Sequence, residues 1–377
     1  HPAHLGHAWA PSYRKVLIAM ITPSFSIGIE EEYLLVDLET RGLATDPPQE
    51  LFDACADKLG DLVAHEFMRS QIEINTRVAK SVPEATEMLA ELRSAVIEIA
   101  AKFEMAPIAA STHPFSSWMD QDFTDQDRYV TIAEDLQEVV RRLLICGMHV
   151  HVGIDDDELR IDLMNQVTYF LPHLLALSTS SPFWQGRNTG LKSYRVSVWD
   201  EMPRTGVPGA FESYTEYSRH VEALVDAKII EDGTKIWWDI RPSARYPTLE
   251  VRIADICTDI RDAVSIAALY QCLLRMLWRL KTNNQRWRQY ASMLITENRW
   301  RAQRYGLDEG LVDFGKGRIV PCSDLIEELI DLVSEDAEAL GCTKEIENLR
   351  QIETRGTSAH QQVKCYDDAL KAGKSEE

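Results

Sequence analysis

Apolar and polar positions alternate with period two in five short stretches of this chain, the signature of half-buried β-strands. The first runs from Phe25 to Asp37, FSIGIEEEYLLVD; the others cover Gln71–Thr76, Ile145–Ile154, Lys235–Arg241 and Thr248–Ala254. Between them the apolar spacing changes to that of helices. Residues Pro83–Phe103 place Ala85, Met88, Leu89, Leu92, Val96, Ile99 and Ala100 on one stripe, with Pro83 suited to a first turn. Helices are also predicted over Asp127–Leu143, Glu158–Ser178 and Ser213–Ala227, and everything after Asp259 reads as helical: about Asp262–Lys281, Trp287–Arg304, Ser323–Leu340 and Thr343–Thr354. Ser180–Gly209 is rich in Gly, Pro, Arg and aromatic residues, which points to long functional loops. Strands and helices do not alternate regularly enough for a doubly wound parallel sheet. The expected class is α+β, a mixed or antiparallel sheet with helices packed beside it.

The polar faces of these strands share a chemistry. Glu30 and Glu32 fall on one side of the first, Gln71, Glu73 and Asn75 on one side of the second, and His149 and His151 on one side of the third. The fourth offers Asp239 and Arg241, the fifth Glu250 and Arg252. An ordinary solvated sheet face would carry Thr, Ser and Lys as well. This one is dominated by carboxylate, imidazole and guanidinium, groups that hold hard divalent cations and neutralise polyphosphate. The His-x-His pair also occurs in zinc sites, but no Cys, His or Asp nearby completes one, and one His as a magnesium ligand with the other behind it fits equally well. The loops SSPFWQGRNTGLKSYR and EMPRTGVP add Arg187, Lys192, Arg195 and Arg204 among glycines, a setting for anions. Neither a P-loop nor a GxGxxG after a strand is present, and no GxSxG elbow.

Composition narrows the field. At 377 residues with 45% hydrophobic and 27% charged positions, there is ample material for a core, and the formal charge of -20 argues against nucleic acid or an anionic membrane as partner. The seven cysteines (55, 146, 257, 272, 322, 342, 365) form no CxxC pair and read as reduced thiols of a cytoplasmic protein; Cys146 reads as a small core residue. Val167–Ser178 is the most apolar stretch and is interrupted by Pro172 and His173, too short to span a bilayer. Residues 1–23 read as a leader or mobile arm, 24–365 as a single catalytic domain, and 366–377 as a frayed tail.

The motifs GIEEEYLL (28–35), QIEINT (71–76), STHPF (111–115), GMHVHVG (147–153), TGLKSYR (189–195), MPRTGVP (202–208), DIRPS (239–243), LEVRIAD (249–255) and ENRWRAQRYG (297–306) together resemble the bacterial carboxylate–amine ligase family, glutamate–cysteine ligase type two. The resemblance implies a glutamine-synthetase-like fold with a mostly antiparallel sheet forming a concave active site and flanking helices. It implies ATP, with Mg²⁺ or Mn²⁺, phosphorylating a glutamate-like carboxylate that an amine such as cysteine then attacks, in a cytoplasmic homodimer. On this likeness Glu30, Glu32, Glu73, His149 and Glu250 hold the metal, and Arg252 meets the transferred phosphoryl group. Arg195 and Arg204 are further catalytic candidates for a substrate carboxylate or nucleotide phosphate, and Lys192 and Arg241 join Arg252 as candidates for the nucleotide. Another acceptor amine, or phosphoryl transfer without ligation as in guanidino kinases, are the alternatives. One departure stands near the C-terminus, where GTSAHQQ (356–362) has Gln361 at a position the family resemblance gives to Arg.

Overall fold

The computed structural model describes residues 22–125 and 136–374. Its centre is a seven-stranded sheet: β1 (Ile27–Asp37), β2 (Val63–His65), β3 (Gln71–Asn75), β4 (Met105–Ile108), β5 (Met148–Gly153), β6 (Ile240–Pro242) and β7 (Thr248–Val251). The order is β6-β7-β5-β1-β3-β2, with β4 pairing the C-terminal half of β1, and all these pairings are antiparallel. The long β1 therefore serves as the spine, holding β5 along Ile27–Glu31 and β3 along Glu30–Leu34.

The apolar half of each alternation faces the core. Ile27, Ile29, Ile72, Ile74, Met148, Val150, Val152, Leu249 and Val251 are all fully buried. Each such side chain contributes about 1.5–3 kcal/mol on leaving water. They are covered by two long helices, α2 (Val82–Ala101), which follows the shorter α1 (Gln49–Leu59), and α3 (Ile260–Thr282). The start of α2 is fixed by Ser81, whose hydroxyl accepts from the Glu84 N–H, with Pro83 in the first turn. α3 is long and apolar enough to cross a membrane by length and composition, yet it is buried along most of its length in the protein core. That all-round burial is why its pattern is apolar on nearly every side. Glu31 is the exception on the apolar face: fully buried, it is gripped by Arg93 of α2 through Nε at 2.8 Å and Nη2 at 2.7 Å.

Several elements depart from the pattern reading. The helix expected over Glu158–Ser178 is two, Asp157–Val167 and Leu171–Ser178, separated by a 3₁₀ turn, because Pro172 opens a new first turn. Residues 287–291 are not helical, and the helix there spans Ser292–Tyr305. The region after Asp259 is not wholly helical, for Leu311–Asp313 and Arg318–Val320 form a hairpin. Where a frayed tail is expected from residue 366, helix Ser358–Lys371 carries the chain on. Its capping Thr357 contacts the Thr179 hydroxyl at 2.7 Å, and Gln362 donates to the Ser180 carbonyl. Of the helix expected over Asp127–Leu143, residues 126–135 lie outside the described residues, and Glu138–Arg141 is helical. Residues 1–21 of the expected leader lie outside them too.

Candidate active site

The register of the sheet assembles the polar face. Glu30 lies opposite His149 on one side and Asn75 on the other, Glu32 opposite Glu73, Glu250 opposite His151, and Arg241 opposite Glu250. These side chains line a cleft of about 780 Å³, with Glu66, Arg77, Trp237, Tyr246 and Arg252 at its walls. All five metal candidates read from the strands thus come to one surface. They fall into two groups.

In the first group Glu30, His149 and Glu250 present ligand atoms that all lie within 4.8 Å of one another. Glu30 bridges two imidazoles, its oxygens 3.1 Å from His149 Nδ1 and 3.1 Å from His151 Nε2. Burial alone would raise its carboxyl, but the hydrogen bonds to His149 and His151 hold it well below the usual range. Burial, and then the positive charge of Arg252, push His149 down to about 4, so the ring is neutral near pH 7 and able to act as a ligand. Burial works against the charge on His151 as well, yet Glu30 and Glu250 outweigh it and raise that ring. Glu250 is likewise buried, and the opposing pull of Arg252 and Arg241 keeps it ionised. Arg241 Nε meets it at 2.9 Å and Arg252 Nη1 makes a close contact with its other oxygen.

The second group is Glu32, Glu66 and Glu73, again with ligand atoms within 4.8 Å of one another. Glu66 is the residue that the strand pattern misses. It follows β2, and the pairing of Ala64 with Glu73 brings the end of that strand alongside the Glu73 carboxylate. The consequence of three converging acids is electrostatic. Burial pushes Glu32 up to about 7, opposed by Arg195 and reinforced by Glu73. Burial, and then repulsion from Glu32 and Glu73, raise Glu66 well above its ordinary value. Such a group is strained by its own charge unless a cation or protons occupy it. An all-oxygen set of this kind suits a hard divalent ion, and the Glu–His–Glu group beside it suits a second.

The basic candidates divide. Arg252 lines the cleft; its side chain stacks 5.7 Å from the Trp199 ring, and its buried Nε makes no hydrogen bond. Arg241 lines the cleft too, but its Nη1 is committed to the carbonyls of Thr234 and Ile236 while Nε and Nη2 hold Glu250. Arg195 is buried beneath the cleft surface, donating to the carbonyls of Ile253 and Arg252. Arg204 donates to the Lys235 carbonyl and lies over the ring of Trp237, itself a wall of the cleft. Lys192 sits 3.1 Å from Asp308, away from the sheet face, and Arg187 is exposed on a two-residue strand. Asp239, grouped with Arg241 in the sequence, turns away to Arg299, because its carbonyl accepts from both Arg252 and Ile253 and breaks the alternation there. Gln361 donates to the Gly356 carbonyl and lines a groove on the other side of the sheet, bounded by Arg93 and Arg355. Cys146 is buried, and that burial pushes its thiol well up.

A family model described as glutamate–cysteine ligase family 2 matches residues 26–376. A protein of Rhodospirillum rubrum, provisionally named glutamate–cysteine ligase 2, is 60% identical over 358 residues, covering 94% of this chain and 92% of its own. A relative of the same provisional name from Jannaschia sp. strain CCS1 is 56% identical over 351 residues, covering 93% and 92%. Among solved structures, the bifunctional glutathione synthetase of Pasteurella multocida matches with a TM-score of 0.68 at 16% identity, over 93% of this chain and 50% of that one. The glutamate–cysteine ligase of Francisella tularensis in complex with AMP gives 0.64 at 14% identity, over 91% and 84%. At those identities the likeness is one of fold, a mostly antiparallel sheet with helices against one face.

Proposed function

The chain belongs to glutamate–cysteine ligase family 2, and from that premise we propose that it joins the side-chain carboxylate of glutamate to an amine, cysteine being the first candidate, at the expense of ATP and with Mg²⁺. Family membership makes it a carboxylate–amine ligase; the substrates and the ions are our reading. The observation that carries the reading is the pair of acidic groups, Glu30–His149–Glu250 and Glu32–Glu66–Glu73, side by side in one cleft with Arg252 between Glu250 and Trp199.

The chemistry balances without a protein nucleophile. A carboxylate oxygen of glutamate attacks the γ-phosphorus of ATP and the bond to ADP breaks, giving an acyl phosphate. The amine nitrogen then attacks the acyl carbon, inorganic phosphate leaves, and the nitrogen gives up a proton. Mg²⁺ held by the two acidic groups would offset the charge of the triphosphate. Arg252, which lines the cleft with its Nη1 on Glu250, would supply the positive charge that the phosphoryl oxygens need as charge moves between donor and acceptor. Glu30, through its two imidazole contacts, keeps His149 and His151 oriented toward the cleft. Arg241, fixed to two backbone carbonyls, holds Glu250 in place.

The test is ADP release from ATP, Mg²⁺ and L-glutamate, with and without a panel of amines headed by L-cysteine, with products identified by mass. Cysteine-dependent ADP release with γ-glutamylcysteine formed is the expected result. Stimulation by another amine keeps the chemistry and changes the acceptor. ADP release that no amine accelerates, with a stable phosphorylated product, would overturn ligation.

A further inference from the structure

We propose that Arg195 is a positioning residue, which sets the Glu32 carboxylate for its cation through the backbone of Gly147 and does not itself touch substrate. The inference rests on the reading of Glu32 as a cation ligand.

Arg195 belongs to the short helix Tyr194–Trp199 that follows the glycine-rich loop, and its side chain is 3% exposed. Its fork is fixed at both ends: Nη1 donates to the Ile253 carbonyl at 3.2 Å and Nη2 to the Arg252 carbonyl at 3.1 Å. Its backbone N–H is held by the Ser181 hydroxyl, which in turn donates to Asp255. Asp255 also accepts from the Ser180 N–H and the Ser193 hydroxyl and lies 3.9 Å from Arg195 Nη1. A guanidinium so restrained is part of the frame.

What the frame supports is Gly147. A Cβ added there would lie 2.2 Å from Arg195 Nη2, 2.8 Å from Cζ and 3.0 Å from Nε, so the guanidinium occupies the space that any other residue would fill. Gly147 in turn grips Glu32 from both sides of its peptide units. Its N–H donates to Glu32 Oε2 at 2.7 Å, and its carbonyl accepts from the Glu32 N–H at 3.2 Å. The chain of contacts therefore runs from a buried cation through a glycine chosen for space to the carboxylate of the acidic group. Arg195 also carries the backbone of Arg252 and shares the Trp199 ring with it, at 5.9 Å against 5.7 Å. A lysine cannot reproduce this, because one ammonium does not lie flat against Gly147 while bridging two carbonyls.

The experiment titrates full-length, EDTA-stripped protein with Mn²⁺ and follows free Mn²⁺ by electron paramagnetic resonance, with circular dichroism as the folding check. A non-hydrolysable ATP analogue is then titrated at saturating Mn²⁺. Wild type should bind Mn²⁺ in more than one class, and Glu32→Gln should lose one of them. Arg195→Met and Arg195→Lys should weaken that same class about 10–100-fold, the usual effect of losing a residue behind a ligand, while nucleotide affinity at saturating Mn²⁺ stays within about twofold. Gly147→Ala should do likewise, and adding Arg195→Met to it should make binding no worse, since the clash has gone. Should Gly147→Ala fail to fold, the two Arg195 variants decide the matter. If Glu32→Gln loses a class but Arg195→Met binds Mn²⁺ as wild type does, or loses nucleotide affinity instead, the positioning role is overturned. If Glu32→Gln binds as wild type does, the cation reading of the cleft falls first and takes this inference with it.

Discussion

Replacing Glu32 by glutamine should make the metal-free protein more stable above neutral pH, not less. The carboxyl is half-buried beside Glu73, and its protonation is raised from an ordinary value near 4.5 to about 7. At about 1.4 kcal/mol per tenfold change, holding the ionised group in the fold costs about 3 kcal/mol. A group raised in the folded state binds its proton more tightly there than in the unfolded chain. Its stabilising contribution is therefore complete below pH 4.5 and is lost as pH climbs through about 7. The glutamine keeps the shape and can still accept from the Gly147 N–H, but it never ionises. For a chain of this size about 2 °C follows each kcal/mol. In EDTA the melting temperature of Glu32→Gln should thus match wild type near pH 4.5 and exceed it by about 6 °C above pH 7. Mn²⁺ at about 1,000 times the dissociation constant of the Glu32 site should reverse the order, since it adds about 4.1 kcal/mol to the protein that binds it. Thermal scans at half-unit steps of pH, with EDTA and with Mn²⁺, check this. Parallel curves for the two proteins in EDTA across pH 5–8 would refute the argument.

Three further outcomes follow from the same electrostatics. Mn²⁺ binding near pH 6.5 should release about one proton or more per ion from the Glu32–Glu66–Glu73 group, read by calorimetry in two buffers of different ionisation enthalpy; Glu66→Gln should reduce that release. Arg93→Met should cost about 3–5 kcal/mol in urea denaturation, because it leaves the fully buried Glu31 with the Tyr33 hydroxyl but without the positive charge of Arg93, and adding Glu31→Gln should recover most of the loss. Glu250→Ala should abolish ADP release and also destabilise the fold by a few kcal/mol, because Arg241 and Arg252 would then face each other across an empty site; Glu250→Gln separates the two effects by keeping the packing.

The acidic face was legible because period two is unforgiving: with Ile29, Ile72 and Val150 committed to the core, Glu30, Glu73 and His149 have nowhere else to point. Glu66 was not legible, since it stands in the connection after a three-residue strand and reaches the cleft only through the pairing of Ala64 with Glu73. Asp239 misled for the opposite reason. It has the right parity, but a carbonyl shared by two N–H groups breaks the strand beside it. The arginine of the glycine-rich loop was visible as a basic residue near anion-binding chemistry, while its burial against Gly147 depends on a contact between segments 48 positions apart, which no local pattern encodes. The C-terminal helix was lost in a polar composition, and its anchors are Thr179 and Ser180, far away along the chain.

The antiparallel order of the sheet has a bearing on how the molecule comes into being. Glu30 lies on the central strand, yet Glu250 reaches it only when β7 docks on β5, with more than two hundred positions of chain between them. The Glu30–His149–Glu250 group exists in no short fragment, so a divalent ion held there binds a product of folding. During synthesis the cleft stays incomplete until β7 and the covering α3 have left the ribosome, and so non-local a pairing of β7 with β5 makes that docking step slow. A chain arrested before residue 248 would present an exposed edge on β5, a ready partner for another nascent strand.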